Sequence, residues 1–297
     1  MISYTECPGC GSGNIVPALS ATDFTVSKDS FEIWECRNCS LRFTQNVPGQ
    51  TEIGEYYQSE NYISHSDTSQ GFINKMYHKI RKRTLRQKRQ LIHKVTALSK
   101  GHLLDIGAGT GAFLNVMQQA GWQVTGLEPD VTAQKKAREL YNLVLENTDQ
   151  LFSLQDGSFD AITLWHVLEH VHPLHDYLDK LKSLLRPGGR LIIAVPNYTA
   201  YDAKIYKEFW AAYDVPRHLY HFSPAAMITL LAKHSLQTTG MKPMWYDSFY
   251  VSMLSEKYKS GRSKMLKATA IGIVSNLKAL FDSRKCSSII YIVQTKA

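Results

Sequence analysis

The sequence predicts an α/β fold of the Rossmann-like type, a sheet with helices on both faces, plus a small N-terminal module built on four cysteines. Three observations predict it. A short apolar strand at 102–106 runs into the glycine turn Gly107-Ala108-Gly109-Thr110-Gly111 and then a helical run at 112–120. A second strand at 123–127 ends in Glu128, and a later strand at 159–166 and the turn Arg186-Pro187-Gly188-Gly189 continue the alternation. Strands alternating with helical segments specify βαβ units. Two Cys-x-x-Cys pairs, Cys7/Cys10 and Cys36/Cys39, stand apart from that pattern near the N-terminus.

The chain has 297 residues, 44% hydrophobic and 20% charged, which suits a soluble globular protein of one large domain or of one domain plus a small module. No apolar run reaches membrane-spanning length, and the first residues lack the basic-then-apolar pattern of a signal peptide. The expectation is a cytoplasmic protein, where disulfides are rare and the cysteines need another role. The predicted organisation is a zinc-ribbon-like module at 1–48, a linker and basic helix at 49–100, and a Rossmann-like domain at 101–297. A helical insertion at 247–285 precedes its last strand.

The pairs Cys7/Cys10 and Cys36/Cys39 supply four thiolates at the spacing of a closed tetrahedral zinc site, which leaves no open position for catalysis. Residues 24–26 and 31–34 read as the strands of a ribbon. Binding of structural zinc contributes ~10–16 kcal/mol in apparent terms to so small a segment. A redox reading is weaker, because no βαβ pattern surrounds either pair. Cys286, in an apolar stretch, reads as a core residue.

Charge is uneven. The net charge is +8, and nine Lys or Arg with no Asp or Glu lie between Lys75 and Lys94, which leaves −1 for the rest. Such a rod suits phosphate-bearing partners: a nucleotide-linked substrate, a nucleic acid or an anionic membrane surface. The plain alternative is a solvated helix face. The periodicity predicts one helix over 72–99 with a narrow apolar stripe, Met76, Ile80, Leu91 and Val95. Before it, Tyr56, Tyr57 and Tyr62 among polar residues suggest a lid or linker.

The glycine turn formally fits a dinucleotide fingerprint, with Glu128 placed to accept ribose hydroxyls. However, Asp105 lies two residues before the first glycine, where a carboxylate suits an ammonium group and repels a pyrophosphate. The ordered set Asp105–Gly111, Glu128, Phe159-Asp160 through His166, Leu168-Glu169-His170 and Arg186–Gly189 resembles class I S-adenosylmethionine-dependent methyltransferases over residues 101–246. The resemblance implies a seven-stranded sheet whose last strand, antiparallel at 287–293, lies beside 239–246. It also implies that Asp105, Gly107, Ala108, Gly109 and Gly111 cradle the cofactor, with Glu128 and Pro129 at the ribose and Asn147 at the adenine. Trp165 and His166 would border the methionine moiety.

Four histidines, His166, His170, His172 and His175, crowd one segment. His166 and His170 are four apart, as metal ligands on a helix are, and Glu169 could join them, but the cluster reads as incidental and the resemblance implies that Leu168-Glu169-His170 packs behind the cofactor. The catalytic candidate is His218, in a loop before a helix that Ser223 and Pro224 are suited to start. The run His218-Leu219-Tyr220-His221-Phe222-Ser223 is similar to one in deoxysugar C-methyltransferases, which also carry an N-terminal zinc module and in which the matching histidine acts as a base. The chain departs from them at Arg217, where they have Glu, and at Val215, where they have Tyr. The alternative is that His218 and His221 brace the helix start.

In the insertion, Leu266, Ala270, Val274, Leu277 and Phe281 fall at helical spacing among lysines. This suits a membrane-surface helix near a lipid-linked substrate, or, as the preferred reading, a cap packed over the active site. The expected acceptor is a small molecule or a glycan precursor, nucleotide- or lipid-linked, methylated on oxygen or carbon. Ribosomal or transfer RNA bases, and a non-catalytic zinc-dependent interaction role, are the alternatives.

Overall fold

The computed structural model describes residues 1–57, 72–262 and 264–296. The N-terminal strands are β1 (Ile15–Thr22), β2 (Ser30–Cys36) and β3 (Arg42–Thr44). A long helix α1 (Phe72–Thr96) leads to β4 (His102–Ile106), α2 (Ala112–Gln119), β5 (Gln123–Leu127), α3 (Val131–Tyr141) and β6 (Phe159–Trp165). Then come α4 (Leu174–Leu184), β7 (Leu185–Pro196), α5 (Tyr201–Tyr206), β8 (Tyr220–His221) and α6 (Pro224–Lys233). The chain ends with β9 (Leu236–Pro243), α7 (Asp247–Ser260), α8 (Met265–Phe281) and β10 (Ser288–Thr295). Tyr62 lies outside the described residues, as do the side chains of Lys75, Met76 and Lys79.

The Rossmann-like α/β prediction holds. A mixed sheet has the order β5-β4-β6-β7-β10-β9, with β4 parallel to both β5 and β6. Among the described residues it has six strands, where seven were expected. The missing edge strand shrinks to one parallel bridge, Leu127 with Glu146. Only Leu143 and Leu145 of that stretch are buried, too short an apolar run to hold an edge. The last strand falls where expected, beside β9.

Two compact units make up the chain: one of Met1–Ser64, His166–Tyr177 and Ala194–Tyr291, the other of His65–Trp165, Leu178–Ile193 and Ile292–Ala297. In the first, the N-terminal strands do not stand alone, because β8 completes a sheet of order β1-β2-β3-β8. Phe31 and Ile33 of β2 join a core with Tyr206, Trp210, Tyr213 and Val215. Residues 24–26, read from sequence as a strand, form a turn instead. The Asp23 carboxylate accepts the N–H groups of Thr25, Val26 and Ser27, which bends the backbone away from a ladder.

Among the described residues the insertion holds the α-helices α7 and α8. In α8 the buried positions are Ala268, Gly272, Ser275 and Ala279, while Leu266, Leu277 and Phe281 of the expected packing stripe are exposed. That corrects the sequence expectation. Small residues let α8 approach closely: a Cβ on Gly272 would stand 2.8 Å from the Phe249 ring of α7.

Arg217 has no exposed side chain. Its guanidinium donates to Asp23 Oδ1 at 2.9 Å, to both Asp214 oxygens at 2.7 and 3.1 Å, to the Tyr56 carbonyl at 2.9 Å and to the Thr25 hydroxyl. The buried charge holds the Asp23 carboxyl well below the usual carboxylate range, against the upward push of burial. Arg217→Ala leaves Asp23 buried without its cation and is expected to cost about 3–5 kcal/mol in urea unfolding. The double variant Arg217→Met/Asp23→Asn should lose less than the sum of its single changes, as coupled partners do.

Candidate active site

The glycine turn after β4 is built from left-handed backbone. Gly107, Gly109 and Gly111 have φ of +69°, +55° and +74°, where side chains are strained. The Gly109 N–H donates to Glu128 Oε2 at 2.6 Å, and Asp130 N–H donates to Oε1 at 3.0 Å. The carboxylate at the end of β5 is thus aimed by the turn it faces. Burial pushes its pKa up. Asp105, inside β4, is buried and takes a 2.5 Å hydrogen bond from the Thr163 hydroxyl of β6. Burial raises its pKa to about 7 against the opposing pull of that hydroxyl and of Lys88.

Two cations of α1 turn toward this cradle. Arg81 donates to the Thr110 hydroxyl at 3.3 Å, and the Lys88 ammonium lies 4.0 Å from the centre of the Trp165 ring. The Trp165 indole N–H is buried without a hydrogen-bond partner among the described residues. Pro129 and Asn147 are exposed, and Asn147 uses its side-chain oxygen to cap the turn at Asp149.

The chain passes from Trp165 straight into His166, which has φ of +60°. His166 lies 2.9 Å from Asp247 Oδ2 through Nε2 and 3.3 Å from Glu169 Oε1 through Nδ1. Burial lowers its pKa, but the two carboxylates win and raise it to about 10. The other histidines of the segment have separate partners. His172 meets the Pro48 carbonyl, His175 meets His234, and His170 Nδ1 meets the Arg217 carbonyl and the Tyr57 hydroxyl, both at 3.0 Å.

His218 is buried, with Nδ1 2.9 Å from the Ala212 carbonyl. A carbonyl only accepts, so Nδ1 carries a proton, and in the neutral ring the lone pair is on Nε2. His221 differs. The Thr44 hydroxyl donates to the His218 carbonyl and sits 3.0 Å from His221 Nε2, which therefore donates to it. His221 is the brace that the alternative reading expects. Ser223 caps α6 as predicted, accepting the Ala226 N–H. Glu169, His170 and His218 bring ligand-type atoms within 4.8 Å of one another.

The four cysteines converge as predicted. Cys7 and Cys39 sulfurs are 3.6 Å apart, Cys10 and Cys36 sulfurs 3.5 Å. Both pairs use the same turn: Gly11 N–H donates to the Cys7 carbonyl and Ser40 N–H to the Cys36 carbonyl. Gly11 and Ser40 both take positive φ, which explains the small residue after each pair. The Cys7 thiol is pushed down to about 5, mainly by the hydrogen bond with Cys39. Cys286 is buried, which pushes its thiol up to about 12.

Residues 77–239, more than half of the chain, match the family described as methyltransferase domain. The chain belongs to that family. Its motifs and fold make it a class I S-adenosylmethionine-dependent methyltransferase, and hence an enzyme. It is 28% identical over 164 residues to a ubiquinone biosynthesis O-methyltransferase of Xanthomonas campestris pv. campestris, covering 51% of this chain and 69% of that protein. The corresponding protein of Xanthomonas oryzae pv. oryzae is also 28% identical, over 163 residues, covering 50% and 68%. The 1,6-didemethyltoxoflavin-N1-methyltransferase of Burkholderia thailandensis, solved with bound 1,6-didemethyltoxoflavin and S-adenosylhomocysteine, shares the fold. That match has a TM-score of 0.50 and 15% identity, and covers 88% of this chain and 98% of that one.

Several contacts of the candidate site residues carry no local sequence signal. Asp247 is 81 residues from His166, and Tyr57 is 113 from His170. Thr163 was open to detection, since it faces Asp105 in the parallel register of β4 and β6.

The pair His166–Asp247 makes stability depend on pH. The folded pKa of His166, about 10, lies above the unfolded value of about 6.5. Its contribution is full below about pH 6.5 and is lost as pH rises through the folded value. The gap in unfolding free energy between the native protein and Asp247→Asn should therefore be widest near pH 6 and narrow towards pH 10, in urea titrations across that range.

Proposed function

We propose that this methyltransferase places a methyl group on a hydroxyl oxygen of a small-molecule acceptor, with His218 as the base. The observation that supports the reading is the imidazole of His218, buried and pinned through Nδ1 to the Ala212 carbonyl, which leaves Nε2 as the nitrogen for accepting a proton. The O-methyltransferase relatives support oxygen as the acceptor atom.

The residues of the cradle fit S-adenosylmethionine. Asp105 and Glu128 give carboxylates for an ammonium group and a ribose diol, and the left-handed glycine turn lets backbone approach the ligand. When bound, the cofactor supplies an electrophilic methyl carbon on sulfonium sulfur. The Gly109 and Asp130 N–H groups hold the Glu128 carboxylate in one orientation, leaving further lone pairs for hydroxyl donors. Trp165 would border the methionine end, with Gly107, Ala108 and Gly111 beside Asp105, Pro129 beside Glu128, and Asn147 at the adenine. By the same resemblance His166 would border that end too. His218 Nε2 would take the acceptor's hydroxyl proton as that oxygen gains the methyl group the cofactor would supply. Alignment of the hydroxyl with the methyl carbon contributes most, ~7–11 kcal/mol, and the base adds ~10²–10⁴-fold.

Calorimetry and turnover separate these roles. Glu128→Ala should weaken S-adenosylhomocysteine binding about 10- to 100-fold. His218→Ala should bind it as the native protein does and lose ~10²–10⁴-fold in methylation of phenolic or sugar hydroxyls. Loss of cofactor binding in His218→Ala, or unchanged turnover, would remove His218 as the base. Methylation of RNA that falls steeply with salt would replace the small-molecule acceptor.

Zinc is the metal that the four cysteines suit. Tetrahedral thiolates at ~2.3 Å from zinc stand about 3.8 Å apart, close to the 3.5 and 3.6 Å found. Atomic emission on the purified protein should find about one zinc per chain. Cys36→Ser should remove that zinc and lower the unfolding midpoint. Metal retained by Cys36→Ser would assign it to Glu169, His170 and His218 instead.

A further inference from the structure

The helix α8 is turned inside out relative to an ordinary surface helix. Its buried positions are Ala268, Gly272, Ser275 and Ala279. On the opposite face Leu266 is 91% exposed and Phe281 92%, with Leu280, Leu277 and Ile273 exposed between them. No Asp or Glu occurs from 265 to 281, so nothing on the helix repels an anionic partner. Exposed cations flank the apolar face at both ends: Lys257, Lys259, Arg262 and Lys264 before it, Arg284 and Lys285 after it.

We propose that this face of α8 docks on an anionic lipid surface, lying in the plane of the bilayer. Among the described residues no helix is long and apolar enough to cross a membrane. A 17-residue helix extends about 25 Å along such a plane. Leu266, Ile273, Leu277, Leu280 and Phe281 enter the boundary between headgroups and acyl chains, and the flanking lysines and arginines meet lipid phosphates. Charge decides the occupant. A second copy seated on this face would bring two cationic rims together, whereas phosphates complement them. This inference does not depend on the identity of the methyl acceptor.

Flotation of the full chain with vesicles tests it. Binding to phosphatidylcholine mixed with phosphatidylglycerol should exceed binding to phosphatidylcholine alone by at least about tenfold, and should weaken with salt. The variant Leu266→Ser/Leu277→Ser/Phe281→Ser should lose vesicle binding and nearly keep its unfolding midpoint, because Leu266 and Phe281 are almost fully exposed and Leu277 is half exposed. Arg262→Glu/Lys264→Glu should retain only the weak, salt-insensitive part. Absence of the native protein from the floated anionic vesicles overturns the proposal, as does equal flotation of the triple serine variant. Sedimentation showing a dimer that the serine variant dissociates would assign the face to a second copy and equally overturn it.

Discussion

A guanidinium sealed from water holds the loop that carries His218. Burying an ion is costly, and Arg217 offsets that cost only because Asp23 and Asp214 neutralise it and the Tyr56 carbonyl and Thr25 hydroxyl take its remaining N–H groups. The backbone on either side is then fixed. The Arg217 carbonyl meets His170, the His218 carbonyl accepts from Thr44, and His218 Nδ1 is held by Ala212. Asp23 comes from the turn between β1 and β2, and Thr44 from β3, so the N-terminal strands bear directly on the imidazole proposed as the base. The four cysteines close the far ends of those strands. A metal there would stabilise the same sheet that β8 completes.

The imidazoles of this region have different electrostatic surroundings. His166 sits between two carboxylates and is held protonated. Burial lowers His170 to about 4 and takes His221 well below its ordinary range, so both stay neutral. His218 has Nδ1 committed to the Ala212 carbonyl. Its other nitrogen, Nε2, is the one that proton abstraction would use. In the cradle, burial lifts the pKa of Asp105 to about 7, and a bound ammonium group would return it to the ionised form.

Much of the cradle was legible in the sequence because it is local. Strand, glycine turn, helix and acidic strand end fall within 27 residues, and covalent spacing alone brings Gly109 to Glu128. The cysteine pairs were legible for the same reason, each pair closing its own turn. What joins distant segments was not. Arg217 looked only like a departure from Glu, because its partner Asp23 lies 194 residues away. The basic helix read as a rod for phosphates, yet Arg81 and Lys88 are engaged by Thr110 and Trp165, contacts that charge counting cannot reveal. The seventh strand failed on a local weakness, two buried leucines being too few to hold an edge.

The insertion shows why periodicity can select the wrong face. Apolar residues at helical spacing ordinarily mark the packed side, since burial of large side chains drives association. In α8 the limiting quantity is the distance between backbones, not apolar area. Phe249 leaves no room for a Cβ at 272, and the Ser275 hydroxyl donates to the buried Asp202 at 2.8 Å, which also takes Ser287 and the Trp210 indole. A leucine face cannot meet those demands, so the small residues go inside and the large ones remain in water. A sequence that keeps five large apolar side chains there gains nothing for the folded chain alone, and the advantage has to lie in something that covers them.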